Sequence, residues 1–271
     1  MSDVALSPLT RTSLLALQSL AETRVETTRR LSTGLRVSSV NDDPAAFFQA
    51  QSLTSRVGDL LSVKDGIGQG VSTVEGALAG LDALEDTARL LRGVAQSALG
   101  GPAEQRAAVA GQFDTLRQQL DALAADVLFQ GVSLVAGSPN DLTVPLGDGG
   151  TTTTVTGTTS DTAGLGIGAA ASFNNFATNA DINAALLQID GAIDALRGTA
   201  SSFASSLALL EVRDDFTQGL INGLETGAAN LVNADLNAEA ATALALSVRE
   251  QLGAAGLAIA QEGPALISDL L

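Results

Sequence analysis

The 271-residue sequence predicts a mainly α fold, a long antiparallel helical or coiled-coil rod carrying a small β-rich insert. Three observations lead there. Apolar residues recur at three- and four-residue steps over two very long stretches, the helical rather than the strand period. Helix-capping and helix-breaking residues, Asp43-Pro44, Gly100-Gly101-Pro102 and Thr178 with Asp181, stand where those stretches begin and end. One segment of about 40 residues, 138–177, abandons the helical period for threonines, glycines and alternating apolar positions.

The first track runs through Leu53, Val57, Leu60, Lys64, Ile67, Val71, Val74, Leu78, Leu81, Leu84, Ala88, Leu91, Ala95 and Ala98, with Lys64 its one polar member. At 45% hydrophobic composition, about six apolar residues would fall on those positions by chance. Asp43-Pro44 supplies a cap and a proline at the first helical position ahead of it. Gly66, Gly68, Gly70, Gly76 and Gly80 lie within it, each costing about 1 kcal/mol against alanine. Close packing against a neighbour is the preferred explanation, and a break in the helix the competing one. Gly100-Gly101-Pro102 then closes one helix and opens another, which predicts a helical hairpin whose second arm carries Val109, Phe113, Leu116, Leu120, Leu123 and Val127.

In the insert, Leu142, Val144 and Leu146 alternate with polar residues, Gly147 to Gly150 form a turn, and Thr151 to Thr156 return. That is strand–turn–strand chemistry with too few apolar residues for a core of its own. Thr178 with Asp181 resembles a capping box before the second track. This track steps through Ile182, Leu186, Ile189, Ile193, Leu196, Ala200, Phe203, Leu207, Leu210, Asp214, Thr217, Ile221, Leu224, Ala228 and Leu231, apolar except at Asp214 and Thr217. Each long track predicts a helix of roughly 70–75 Å at about 1.5 Å per residue.

The two ends complete the pattern. The N-terminal stretch places Leu14, Leu17, Ala21, Leu31 and Leu35 in one heptad phase, and the C-terminal stretch does so with Ala241, Leu244, Val248, Leu252, Ala255 and Ile259. The phase slips between Leu231 and Ala241, as a kink or stutter would make it. Burying a leucine is worth roughly 1.5–3 kcal/mol, so these stripes are a large unmet demand in an isolated subunit. The expectation is that the ends pack on each other and on further copies of the chain.

Composition narrows the function. With no His or Cys there is no imidazole acid–base, thiol nucleophile, disulfide or zinc–cysteine site. The net charge of −16 disfavours nucleic acid and anionic membrane as partners. Residues 1–36 are the exception: five arginines against Asp3, Glu22 and Glu26 leave them at +2. No stretch of 18 apolar residues predicts a membrane span, and the start lacks the pattern of a cleaved secretory signal. Gly66-x-Gly68-x-Gly70 lacks the preceding strand of a nucleotide loop, and Asp42-Asp43 reads as helix capping rather than metal ligation. Asp214-Asp215 is either a register-setting polar position or an exposed pair. No catalytic constellation, metal site or cofactor site is predicted.

With the ends read in this way, the run Arg30-Leu31-Ser32-Thr33-Gly34-Leu35-Arg36-Val37, followed by Asn41-Asp42-Asp43-Pro44-Ala45, resembles the RLSSGLRI…DDPA signature of bacterial flagellin. Phe129-Gln130-Gly131 with Leu134 and Gly137, then Ala229-Asn230-Leu231, Ala234-Asp235-Leu236-Asn237-Ala238-Glu239 and Gln251-Leu252-Gly253, are similar to later motifs of that family in the same order. The compact insert is similar to flagellins of the alphaproteobacterial type. The family motif is carried by Arg30, Leu31, Gly34, Asp42, Asp43 and Pro44.

The resemblance implies a structural subunit that polymerises into the flagellar filament for swimming motility, with the hook–filament junction protein as the alternative. It implies secretion through the flagellar type III export apparatus, an export chaperone on the stripe from Leu244 to Leu270, and hook-associated and cap proteins as further partners. The implied division is 1–40 as N-terminal inner-tube helix, 41–137 as shell hairpin, 138–177 as outer insert, 178–232 as long shell helix and 233–271 as C-terminal inner-tube helix. Its polymerisation interface is expected at Leu14, Leu17, Leu31, Leu35, Leu244, Val248, Leu252 and Ile259.

Overall fold

A computed structural model describes residues 8–268, with side-chain environments for 10–259; residues 1–7 and 269–271, including the end of the expected chaperone stripe, lie outside it. The described chain is mainly α. Its helices are α1 (Pro8–Thr33), α2 (Pro44–Ser97), α3 (Ala103–Asp126), α4 (Asn179–Val232) and α5 (Leu236–Ser268). A two-stranded antiparallel sheet, β1 (Leu142–Pro145) and β2 (Thr152–Val155), and a 3-10 segment, Ala170–Phe176, lie between α3 and α4. The chain divides into two compact units, residues 1–55 with 223–271, and residues 56–222.

The helix boundaries follow the capping chemistry. Asp43 Oδ1 accepts a hydrogen bond from the Ala46 N–H at 3.0 Å, and α2 opens on Pro44. Before α4, the Thr178 N–H donates to Asp181 Oδ2 at 2.9 Å and the Asp181 N–H donates back to Thr178 Oγ1 at 3.2 Å, a reciprocal box. The expected kink after Leu231 is a full break. α4 stops at Val232, and Asp235 Oδ1 accepts from the N–H groups of Asn237 and Ala238 to start α5 as a separate helix.

In the unit of residues 56–222, one core collects the buried faces of α2, α3 and α4. No residue of either long apolar track is exposed. Their polar exceptions meet: Lys64 Nζ of α2 lies 3.2 Å from Asp214 Oδ2 of α4. An apolar residue would pack in more than one register, whereas this pair forms in only one, so it aligns the two helices. Thr217, the other exception, is buried and donates its hydroxyl to the Arg213 carbonyl one turn back at 2.8 Å.

The insert shares that core rather than building its own. Val144, Val155, Ile167, Ala170, Phe173 and Phe176 are buried with the helices. β1 and β2 pair Leu142 with Val155 and Pro145 with Thr152 across the glycine turn. The segment after them is pinned to α3 by polar groups: Asp121 accepts from the Thr162 N–H at 2.7 Å and its hydroxyl at 3.0 Å, and Asp114 accepts from the Ala170 N–H at 2.9 Å. Phe113 of α3 meets Phe176 edge-on, with ring centroids 5.3 Å apart.

α2 runs unbroken through its glycines, and three of them are where neighbours come closest. A Cβ at Gly66 would lie 2.7 Å from Pro145, at Gly70 2.7 Å from Val144, and at Gly80 2.6 Å from two Val127 methyl carbons. Gly80 meeting Val127, just past the end of α3, also shows the chain doubling back as a hairpin. Gly68 and Gly76 face open space. The signs of substitution should therefore differ. Gly80→Ala should destabilise, since crowding at about 1–3 kcal/mol exceeds the helix gain, while Gly76→Ala should stabilise by up to about 1 kcal/mol. Chemical denaturation midpoints of the two variants check this.

Candidate functional site: the terminal helix pair and its knuckle

In the unit of residues 1–55 and 223–271, α1 packs along α5. The α1–α2 turn and the α4–α5 break are bonded to each other. The Arg36 and Val37 N–H groups both donate to the Val232 carbonyl, at 2.7 and 3.1 Å, and the Ala234 N–H donates to the Gly34 carbonyl at 2.9 Å. Arg36 also donates through Nη2 to the Leu231 carbonyl at 2.7 Å. Gly34 ends α1 at φ +71° with its N–H on the Arg30 carbonyl, the left-handed cap that favours glycine.

The residues expected to carry the family motif converge on this knuckle. Arg30 bridges Glu26, one turn back on α1, and Glu239 of α5 at 3.2 Å. Asp42 is the hub of the turn. It takes a two-pronged contact from Arg29, at 2.9 and 3.1 Å, and accepts from the Ser38 and Ser39 N–H groups at 2.9 Å each. Asp43 and Pro44 cap and open α2 as described.

These contacts, the Arg29 guanidinium first and the Ser38 amide next, hold the Asp42 carboxyl well below the usual carboxylate range, and Arg29 is raised in turn by Asp42. A depressed carboxylate contributes stability that is complete above its unfolded pKa, about 3.9, and lost as pH falls below that toward the folded value. The knuckle should therefore hold unchanged from neutrality to about pH 4.5 and loosen below about pH 4. Asp42→Asn should remove that acid-dependent component while lowering stability at pH 7. Amide hydrogen exchange at Ser38 and Ser39 across pH 3–6, with and without the substitution, measures both.

The eight residues expected at the polymerisation interface fall into two groups. Leu17 and Leu31 of α1, and Leu35 just past its end, are half-buried, and Leu17 sits against Gly253 of α5, where a Cβ would come within 2.8 Å of it. Leu14 is 40% exposed. On α5 all four point away from α1, with Leu244 69%, Val248 47%, Leu252 68% and Ile259 71% exposed. The face that α5 turns to α1 is a different one, carrying Leu246 at 5% exposure with Ser247, Glu250, Gly253 and Leu257 half-buried. At about 100° per residue the two faces lie nearly half a turn apart. Sequence periodicity favoured the outer stripe because its side chains are larger, while the inner face mixes leucine with glycine, serine and glutamate.

Elsewhere, an open cleft of about 820 Å³ is lined by Lys64, Asp65, Glu211, Asp214 and Asp215, and Lys64 and Asp214 are already paired with each other. Among the described residues there is no group of three or more acidic side chains placed to hold a metal, and no helix long and apolar enough to cross a membrane.

Residues 9–140 match the model of the bacterial flagellin N-terminal helical region. The chain is similar to Flagellin FljM of Caulobacter vibrioides, with 31% identity over 263 residues and 95% of each chain covered. The chain belongs to the bacterial flagellin family. A flagellin of Brucella melitensis is 27% identical over 94% of this chain and 95% of its own. Among solved structures, the Bacillus cereus flagellin crystal structure aligns at a TM-score of 0.46 and 18% identity, covering 56% of this chain and 88% of that one. As a flagellin, the chain is a structural subunit of the bacterial flagellar filament that serves motility. The knuckle and the two-faced α5 are thus features of a filament subunit.

Proposed function

We propose that this chain is a non-enzymatic subunit that assembles through its terminal helices. Leu14, Leu17 and Leu31 of α1, Leu35 just after it, and Leu244, Val248, Leu252 and Ile259 of α5 make or support the contacts between copies. The observation that carries this is the outward stripe of α5. Four large apolar side chains, each about half exposed or more, lie on one face of a helix whose opposite face is already packed. The same reading assigns 1–40 and 233–271 to an inner tube, 41–137 and 178–232 to the shell around it, and 138–177 to the outer surface. The subunit works outside the cell, reaching the filament through the type III export apparatus. Before export, a chaperone covers the α5 stripe, and hook-associated and cap proteins bound the growing filament.

The test is electron microscopy of purified protein dissociated by heat and then cooled, with and without short filament seeds. Long tubes of uniform diameter are expected from the chain alone once seeded. Short assemblies that never elongate, even on seeds, would overturn the reading that the terminal helices suffice for growth.

A further inference from the structure

We propose that the Asp148-Gly149 step, in the turn of the β1–β2 hairpin, is a self-modification site at which this chain turns aspartate into isoaspartate by attack of its own backbone. The sequence holds three Asp-Gly steps, at 65–66, 148–149 and 190–191. Glycine favours such a reaction, because without a Cβ its nitrogen can approach the preceding side chain unhindered. The fold sorts the three steps. Asp65-Gly66 lies inside α2 and Asp190-Gly191 inside α4, where the helix holds each glycine N–H on the carbonyl four residues back and fixes the dihedrals around it. Asp148-Gly149 lies in the loop between the strands, outside any element.

The loop leaves the reacting atoms free. It is closed by the Leu146 N–H donating to the Thr151 carbonyl at 2.7 Å, and among the described residues the Gly149 N–H has no hydrogen-bond partner. A Cβ built at Gly147, Gly149 or Gly150 would meet nothing within 4 Å, so a cyclic imide has room to form there. One contact restrains the reaction. Asp148 Oδ2 lies 2.8 Å from Nε of Arg56 on α2. The carboxylate must leave that partner before its carbon can reach the Gly149 nitrogen, so Arg56 acts as a positioning residue that slows the step.

The chemistry is intramolecular and needs no cofactor. The Gly149 nitrogen forms a bond to Cγ of Asp148, a C–O bond of the carboxyl breaks, and that oxygen leaves as water with the amide proton and one proton from solvent. Water then adds to the imide at the Asp148 main-chain carbonyl, whose bond to the Gly149 nitrogen breaks. That carbonyl becomes a carboxylate, its proton returns to solvent, and the chain now continues through the former side chain. Net charge is unchanged, but the backbone is one carbon longer and the carboxylate stands on a different carbon from the one that Arg56 holds. The added carbon falls inside the loop that the Leu146–Thr151 bond closes, so the strands keep their pairing. The product accumulates, and its extent records the age of the chain.

The full chain is aged in warm neutral buffer made with oxygen-18 water, folded in one sample and unfolded by guanidinium in another, and isoaspartate is located by peptide mapping. In the folded chain, isoaspartate at 148 should exceed that at 65 and at 190 by about tenfold or more, because the helices open rarely. Each converted residue should carry one heavy oxygen, and in guanidinium the three steps should converge. Equal yields at the three steps of the folded chain, or no isoaspartate at 148, would overturn the proposal. The same excess at 148 in guanidinium would also overturn it, since the fold would then select nothing. Gly149→Val, whose branched side chain shields the nitrogen, should cut the yield at 148 about tenfold with the helical circular dichroism retained. An undiminished yield would overturn attack by that nitrogen. Arg56→Gln should raise the rate about threefold, the worth of an exposed ion pair. A rate at or below the parent's would overturn the restraint by Arg56.

Discussion

Leu252→Asp should leave the subunit folded and abolish filaments. The side chain is 68% exposed and makes no part of the α1–α5 seam, so a carboxylate there remains in water while the chain is free. On assembly the same carboxylate would have to leave water without a partner, at several kcal/mol per contact. Each 1.4 kcal/mol is a factor of ten, so even about 3 kcal/mol raises the concentration needed for growth more than a hundredfold. Leu252→Ala, which removes apolar area without adding charge, should fall between the variant and the parent. Sedimentation after seeding measures the assembled fraction, and circular dichroism of the supernatant checks the fold. Normal-length filaments from Leu252→Asp would place the stripe outside the contacts between copies.

Why the stripe was legible, and the inner face of the same helix was not, follows from what periodicity reports. A repeating leucine or valine signals burial somewhere without naming the partner. In α2 and α4 the largest apolar track is also the intrachain seam, and the polar exceptions Lys64 and Asp214 satisfy each other across it. In α5 the largest track faces away, and the seam with α1 is made by Leu246 and by Gly253, a residue that scores as helix-breaking until Leu17 is seen lying on it. The glycines of α2 are ambiguous in the same way, because the residues that need Gly66, Gly70 and Gly80 lie between 47 and 79 positions further along the chain. Caps, by contrast, are local. Asp43, Thr178 and Asp181 act within three residues of themselves and were readable directly. The break at Asn233 lay between, showing as a phase slip, while the knuckle bonds that hold it come from residues 34–37.

Phe113→Ala should produce the largest loss of stability within residues 56–222, about 3–5 kcal/mol. Phe113 has no exposed surface and joins α3 to the 3-10 segment through Phe176. Its removal leaves a cavity that cannot easily collapse. The segment around it is held in place by Asp114 on Ala170 and by Asp121 on Thr162, so the backbone cannot move in to fill the void. Phe113→Leu, which keeps most of the volume, should cost about 1.5 kcal/mol or less. The loss should show as a lower denaturation midpoint and as earlier proteolysis between Thr158 and Ala177, the segment that Phe113 anchors. A Phe113→Ala chain as stable as the parent would mean that the insert does not depend on this core. Set against Leu252→Asp, the pair separates two kinds of apolar residue. One is already buried by its own chain, and its loss is felt in the free subunit. The other is left exposed by its own chain, and on the proposed assembly its loss is felt only when copies meet.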